Sequence, residues 1–306
     1  LIIPFLHSVG LIYTVVFGVF AVTRFFIPAK MAILPCLVKH HELYLVNSLS
    51  TTSMMIAFIL SFLIGGLIID LLGVSTCFFV DSGTYILSAV AISMISIGET
   101  GKKKEKFSLF IKELWIGINS LKRKGVRLAI LSLSILMIGV GVLLVLAVIS
   151  LINRGIEMKG IGILGALLGL GMFLGTVLVG KFGHRVKINH LITLVFIILG
   201  ISIILFANCK IFLLIAPLSF IGGLSIPIII IYGNTSLHRY IPNEIWGRAF
   251  SSLEIIINLS LLLGVLFASP LANAFGEVLV LEGLGGLFLI FAIIVFIQPH
   301  IRQWLN

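Results

Sequence analysis

Charge is what this chain has least of. Only 10% of its 306 residues are Asp, Glu, Lys or Arg, and 60% are hydrophobic, whereas a soluble domain carries about 25% charged residues. A water-soluble globule is excluded, because too little polar surface exists to cover it. Cysteine is also scarce: Cys36, Cys77 and Cys209 are scattered. They offer no disulfide framework or zinc spacing, read as packing residues, and carry no information on redox compartment. No GxxxxGK[ST] loop occurs, which accords with an ion gradient rather than nucleotide hydrolysis as a driving force. The seven histidines lie at or near expected loops. The one cluster, His40-His41, puts its side chains about 100° apart on a helix, so no metal site is expected. No hydrolase constellation is present and the carboxylates stand singly. An embedded enzyme, which would need paired catalytic residues at mid-membrane depth, is not supported, and no cofactor is expected. The opening LIIPFLHSVG lacks Met and a charged n-region, so it is no signal peptide. It reads as the interior of a longer protein.

What the chain has is long apolar runs and a mean hydropathy of +1.27. The runs are continuous and about 20 residues long, the length of a bilayer-spanning helix. Barrel strands would alternate over about ten residues. The class is an all-α membrane protein. Nine complete spans are predicted at 9–28, 46–69, 75–97, 128–151, 160–181, 188–208, 211–234, 246–270 and 276–298, with Leu1 to Leu6 ending an earlier one.

The net charge of +10 would suggest nucleic acid in a soluble protein. Here it reads as the loop bias that sets membrane orientation. If the first complete span runs inward, the inner loops hold 17 of the 21 Lys and Arg residues and the outer loops three, Arg154, Lys159 and Lys210. Arg24 lies within a span. The C-terminus is expected in the cytoplasm of a cell-membrane protein. Nine of the basic residues fall in the stretch 98–127. Within it Phe107, Phe110, Ile111, Leu114, Trp115, Ile118 and Leu121 recur at helical spacing. They define an amphipathic helix lying on the inner membrane face with its lysines near anionic headgroups, or else a solvated linker. Either way the stretch joins two membrane halves: 1–98 a partial N-terminal bundle, 99–127 the linker and 128–306 a six-helix C-terminal bundle.

The halves echo one another. Residues 27–73 and 226–276 each run Ile-Pro, a basic or His-bearing loop, Glu, an aromatic residue, a small polar cluster, a long apolar run and then Gly. Ile27-Pro28 matches Ile226-Pro227 and Glu42 matches Glu244. Both copies run in the same direction, the arrangement of parallel transporter repeats.

These features resemble the major facilitator superfamily, and within it the drug and siderophore exporter branch. The resemblance rests on Phe25-Phe26-Ile27-Pro28-Ala29, LPCLV at 34–38, Asn47, Gly65-Gly66, FFVDSGTYILSA at 78–89, GTVLVGKFGHRVK at 175–187 and IPNEIWGRAFSS at 241–252. It implies a major facilitator fold, about nine complete transmembrane helices of an expected twelve, numbers four to twelve. It also implies a monomer that exports small molecules by alternating access, coupled to protons. Ser61-Phe62 stand where exporters often have Gly-Pro, and Lys181 lies where an acidic residue is expected in the Gly-rich loop. A lysophospholipid-type carrier of the same fold is the alternative, and a truncated, non-transporting remnant is another.

Charges within spans are costly and usually functional. Glu254, Asp81 and Arg24 are therefore the coupling or charge-network candidates, against interfacial or snorkelling roles for Asp81 and Arg24. Carboxylates in apolar surroundings hold protons more tightly, the property a proton carrier needs. Gly165, Gly169, Gly171, Gly175 and Gly180 allow close helix approach. The resemblance implies that the turn with Gly175, Gly180, Gly183 and Arg185 locks one carrier conformation. It also implies that Tyr13, Thr14, Phe17, Phe220 and Tyr232 lie on cavity-lining helices, though packing is the commoner fate of an aromatic. The expected partners are a small-molecule substrate and the bilayer. A cysteine introduced at Lys103 should resist a membrane-impermeant maleimide in intact cells and react after permeabilisation. Labelling in intact cells would reverse the orientation.

Overall fold

Leu-, Ile-, Val- and Phe-rich runs with no polar side to expose form helices that are apolar all round, the pattern of membrane spans. The computed structural model describes residues 2–6, 8–37, 43–94, 115–121, 123–182, 188–242 and 245–297. Within these, the side chains of 24–25, 27–37, 43–48, 50–51, 55, 124, 182 and 188–189 lie outside the description. After a 3-10 turn at Ile3–Phe5 come α1 (Val9–Leu37), α2 (Leu43–Leu72) and α3 (Val74–Ser93). A helical segment, α4, covers 115–121 among the described residues. Then come α5 (Lys124–Asn153), α6 (Met158–Phe182), α7 (Ile188–Asn208), α8 (Phe212–Tyr240), α9 (Trp246–Phe275) and α10 (Glu277–Ile297). Eight of these helices are long and apolar enough to cross a membrane, and Val9–Thr23 is a shorter apolar run. The fold is all-helical, as expected.

Two helices outrun their predicted spans. α1 continues through Pro28 to Leu37, and α8 through Pro227 to Tyr240. Proline breaks a helix in water, but neighbouring helices and local adjustment can satisfy the freed carbonyls in a membrane protein. The expected loops after Ile27-Pro28 and Ile226-Pro227 are thus largely helical. The echo between the two stretches persists in helix lengths: α1 and α8 have 29 residues each, and α2 and α9 have 30 each. α2 and α9 each end at a glycine with positive φ, Gly73 (φ 81°) and Gly276 (φ 85°), a conformation that side chains with a Cβ rarely adopt. α3 and α10 follow directly.

The chain divides into two compact units, Leu1–Lys103 and Lys104–Asn306. In the first, α2 and α3 form a hairpin in which the Cys77 thiol lies 3.9 Å from the Gly65 carbonyl oxygen. Phe5 meets Phe79 edge-on at 6.0 Å. Gly66 is the one buried position among its described residues, so its large side chains face outward.

The second unit has a true core. Phe196 of α7 sits at its centre, fully buried. It meets Phe288 at 5.4 Å and Phe291 at 4.8 Å, both edge-on and both from α10. Leu133, Leu136 and Leu146 of α5, Ile229 and Leu237 of α8 and Leu253 of α9 close around them. A smaller cluster joins Leu151, Leu164 and Ile215 of α5, α6 and α8. The outward faces of the same helices carry Leu144, Leu213, Leu266 and Ile290, side chains that only lipid would accommodate at such density.

The most extensive pairings in this unit are α6 with α8, α7 with α10 and α5 with α9. All three are made at glycines. A Cβ on Gly171 of α6 would strike the Phe220 carbonyl oxygen and lie 2.9 Å from the Leu224 amide nitrogen. Gly175, one turn on, meets the Leu224 carbonyl, and Gly223 of α8 meets that of Leu168. Gly141 of α5 and Gly264 of α9 face each other, each against the other helix's backbone. Gly200 and Gly285 do the same for α7 and α10, with Gly285 O only 2.8 Å from a Cβ built on Gly200. Gly264→Ala is expected to force α5 and α9 apart and destabilise the unit by about 1–3 kcal/mol. Gly222→Ala, where no neighbour lies within 4 Å, should leave stability unchanged or raise it slightly. Thermal unfolding in detergent checks both, and equal midpoints would remove the glycine crossings as a constraint.

Candidate functional site

Consecutive helices of the second unit are joined by short connections and alternate in direction, so charged residues gather at two ends. One end holds Arg123, Arg127, Lys181, Arg239 and Arg248, with no carboxylate among the described residues of its helix termini. Arg123 Nη1 donates to the Tyr240 carbonyl (2.9 Å), tying the start of α5 to the end of α8. His238 lies between Trp246 (4.4 Å) and Phe250 (4.9 Å), and Trp246 Nε1 donates to Ile241 O (2.8 Å). The α4 helix docks here. A Cβ on its Gly117 would meet Ser252 and the backbone of Arg248. Leu121 and Ser120 are buried beside it, while Trp115 and Ile118 point outward. Two members of the predicted apolar face thus stay uncovered by the protein, and residues 107–114 lie outside the described residues.

The other end is mixed. Arg154, in the turn after α5, reaches the carboxyl end of α7. Its Nη1 donates to the carbonyls of Phe206 (2.8 Å) and Cys209, and its Nη2 to Ala207 O (2.9 Å) and Ser150 Oγ (2.8 Å). The Phe206 ring lies 5.1 Å from the guanidinium carbon. A cation at a helix C-terminus satisfies carbonyls that have no intrahelical partner. Asn208 Nδ2 donates to Glu282 Oε1 (2.7 Å), joining α7 to α10, and Asn153 Nδ2 to Glu277 Oε2 (3.0 Å), joining α5 to α10. Arg154 reads from sequence as an outer-loop charge, and the carbonyls it holds are not legible there, because backbone carbonyls carry no sequence signature.

Glu254 stands two turns into α9 on an exposed face. Asn258, one turn on, donates through Nδ2 to Glu254 O (2.7 Å) and Oε2 (3.2 Å). Asp81 lies two turns into α3, also exposed, and its backbone carbonyl accepts from Thr84 Oγ1 (2.7 Å). The backbone of Arg24 belongs to α1, but its side chain lies outside the described residues. Tyr13 and Phe17, one turn apart on α1, are 72% and 76% exposed, and Thr14 beside them donates to Gly10 O (2.9 Å). Phe220 is half-buried, and Tyr232 is 8% exposed within the core cluster. Gly175 is buried against α8, Gly180 faces open space, and Gly183 and Arg185 lie outside the described residues. The structure therefore groups Tyr13, Thr14 and Phe17 on one helix, and Glu254 with Asn258 on another. No group of three or more His, Cys, Asp or Glu able to hold a metal occurs among the described residues.

The helices of the second unit are apolar, cross at glycines and carry isolated charges on open faces, the make-up of a multi-pass membrane protein. The chain belongs to the Major Facilitator Superfamily, whose sequence model matches residues 1–231. It is similar to macrolide efflux protein A of Streptococcus pyogenes and of its serotype M6 strain ATCC BAA-946 / MGAS10394. Each is 24% identical over 288 residues, covering 90% of this chain and 66% of the relative. The chain thus spans just under two-thirds of the length of these curated relatives.

Arg154→Ala should leave three carbonyls of the α7 end without their donor and lower stability by about 2–4 kcal/mol, read as a lower unfolding midpoint in detergent. Arg154→Lys should rescue little, because one ammonium nitrogen cannot stand at both positions that Nη1 and Nη2 occupy.

Proposed function

We propose that the protein exports small amphipathic or hydrophobic compounds by alternating access, driven by the proton gradient. The observation that carries this reading is the similarity to an efflux protein along 90% of the chain. In this proposal residues 1–98 and 128–306 supply the two rocking halves and 99–127 the cytoplasmic strap between them. Glu254 is the coupling residue. It is a carboxylate within an apolar helix, on a face left open by its own unit, and its described side-chain partner is the neutral amide of Asn258. A carboxylate so placed can take up and release a proton without breaking an ion pair. Tyr13, Thr14 and Phe17 would line the substrate path from the first unit, with Asp81 and Arg24 as further charge candidates. The Gly175–Arg185 turn would hold one conformation, its helical part already pressed against α8 at Gly175.

Cells expressing the full-length gene should accumulate less of at least one amphipathic compound than cells without it. Dissipating the proton gradient with an ionophore should erase the difference. Glu254→Gln keeps the hydrogen-bonding shape and removes the titratable oxygen, so accumulation should return to the level of cells lacking the gene. Equal accumulation with and without the gene over a broad panel sinks efflux. Undiminished efflux by Glu254→Gln removes that residue from the mechanism.

A further inference from the structure

We propose a second ligand site, for small organic ammonium ions with an apolar substituent, where α5, α9 and α10 converge. It lies about 15 residues along α9 from Glu254, or roughly 22 Å at 1.5 Å per residue. A cavity of about 320 Å³ opens there, lined by Leu146, Ile149 and Asn153 of α5, Ser269, Ala272 and Asn273 of α9, and Glu277 of α10. That volume falls at the lower end of ligand pockets, about 300–1,000 Å³.

The cavity follows from the packing. Gly141 and Gly264 hold α5 and α9 in backbone contact, and helices that cross at an angle separate on either side of the crossing. Ile149 and Ala272 are each eight residues beyond their glycine, so the cavity occupies the widening gap about 12 Å from the crossing. Pro270 adds to the separation, since a proline inside a helix removes the bond to the residue four before it and crowds that turn. The start of α10, delivered by the left-handed turn at Gly276, closes the third side.

The lining is divided by chemistry. Leu146 and Ile149 are one turn apart on α5 and, with Ala272, form an apolar floor. Ser269, Asn273 and Glu277 are spaced four residues apart and, with Asn153, form a polar rim. Glu277 in the first turn of α10 would by itself be explained by the favourable charge at a helix N-terminus, so the inference rests on the cavity and not on that residue alone. Asn153 grips Glu277 Oε2 at 3.0 Å and fixes the carboxylate. Among the described residues Asn153 donates to Oε2 and nothing donates to Oε1, which leaves that oxygen to accept from a ligand. The rim thus offers one negative charge with amide and hydroxyl dipoles, and the floor offers hydrocarbon. An ammonium head at Glu277 and Asn273 with an apolar group on Leu146 and Ile149 satisfies both. An anion would meet the carboxylate, and a neutral hydrocarbon would leave the rim unpaired.

The test is binding of benzylammonium, whose N–H groups can donate to Glu277, and of its uncharged carbon isostere ethylbenzene, to the purified full-length protein in nanodiscs, with empty nanodiscs as the partition baseline. The ammonium should bind saturably and the isostere should not exceed the baseline. Glu277→Gln keeps an acceptor for Asn153 but loses the charge, and should weaken ammonium binding about tenfold or more. Asn273→Trp, at an exposed rim position, should abolish binding by occluding the cavity. Absence of saturable binding to the folded protein, equal binding of the isostere, or unchanged affinity in both variants overturns the site. The readout is independent of transport. Ammonium binding without export retains this site and removes the exporter reading, and export without ammonium binding does the reverse.

Discussion

Backbone-to-backbone contact at glycine is the constraint on which the second unit depends. Lipid tails are as apolar as leucine, so helices in a bilayer are not driven together by hydrophobicity and must gain from packing instead. Removing the Cβ at Gly171, Gly175 and Gly223, at Gly141 and Gly264, and at Gly200 and Gly285 lets three helix pairs approach until carbonyls touch the neighbour's backbone. The aromatic core around Phe196 is arranged by those approaches. So is the splay of α5 from α9, which leaves room for the cavity beside Glu277.

Polar groups secure the ends of these helices. At one end a single guanidinium, Arg154, collects the loose carbonyls of α7, and two Asn–Glu pairs bind α10 to its neighbours. At the other, Arg123 reaches across to α8 and the α4 helix seats on α9 through Gly117. The contrast is in charge. Among the described residues of its helix termini one end gathers cations, while the other mixes acids and bases.

Much of the architecture was legible before any coordinates. The long apolar runs fall within the helices, and the echo between 27–73 and 226–276 has a counterpart in equal helix lengths and matching left-handed glycines at 73 and 276. The helix ends were less legible. α1 and α8 run on past Pro28 and Pro227, and in α8 the polar residues Asn234, Ser236 and Arg239 are helical, Ser236 buried. Of the five glycines noted in α6, which ones touch another helix was not legible either. Gly171 and Gly175 press on α8 and Gly180 meets nothing, though all are identical in composition terms. Tyr232 lay on a helix expected to line a cavity and is instead packed among Leu133, Ile229 and Leu237.

By itself the sequence determined the solvent and the long helices, because these follow from a local quantity: the apolar content of about 20 consecutive residues. Tertiary structure alone decided which glycines meet, which carbonyls Arg154 holds, that Glu254 faces outward beside Asn258, and that Glu277 borders a cavity with Asn153. Each of these is a relation between residues far apart in the chain, made through backbone atoms that every residue shares. Only the packing of one helix on another selects among them.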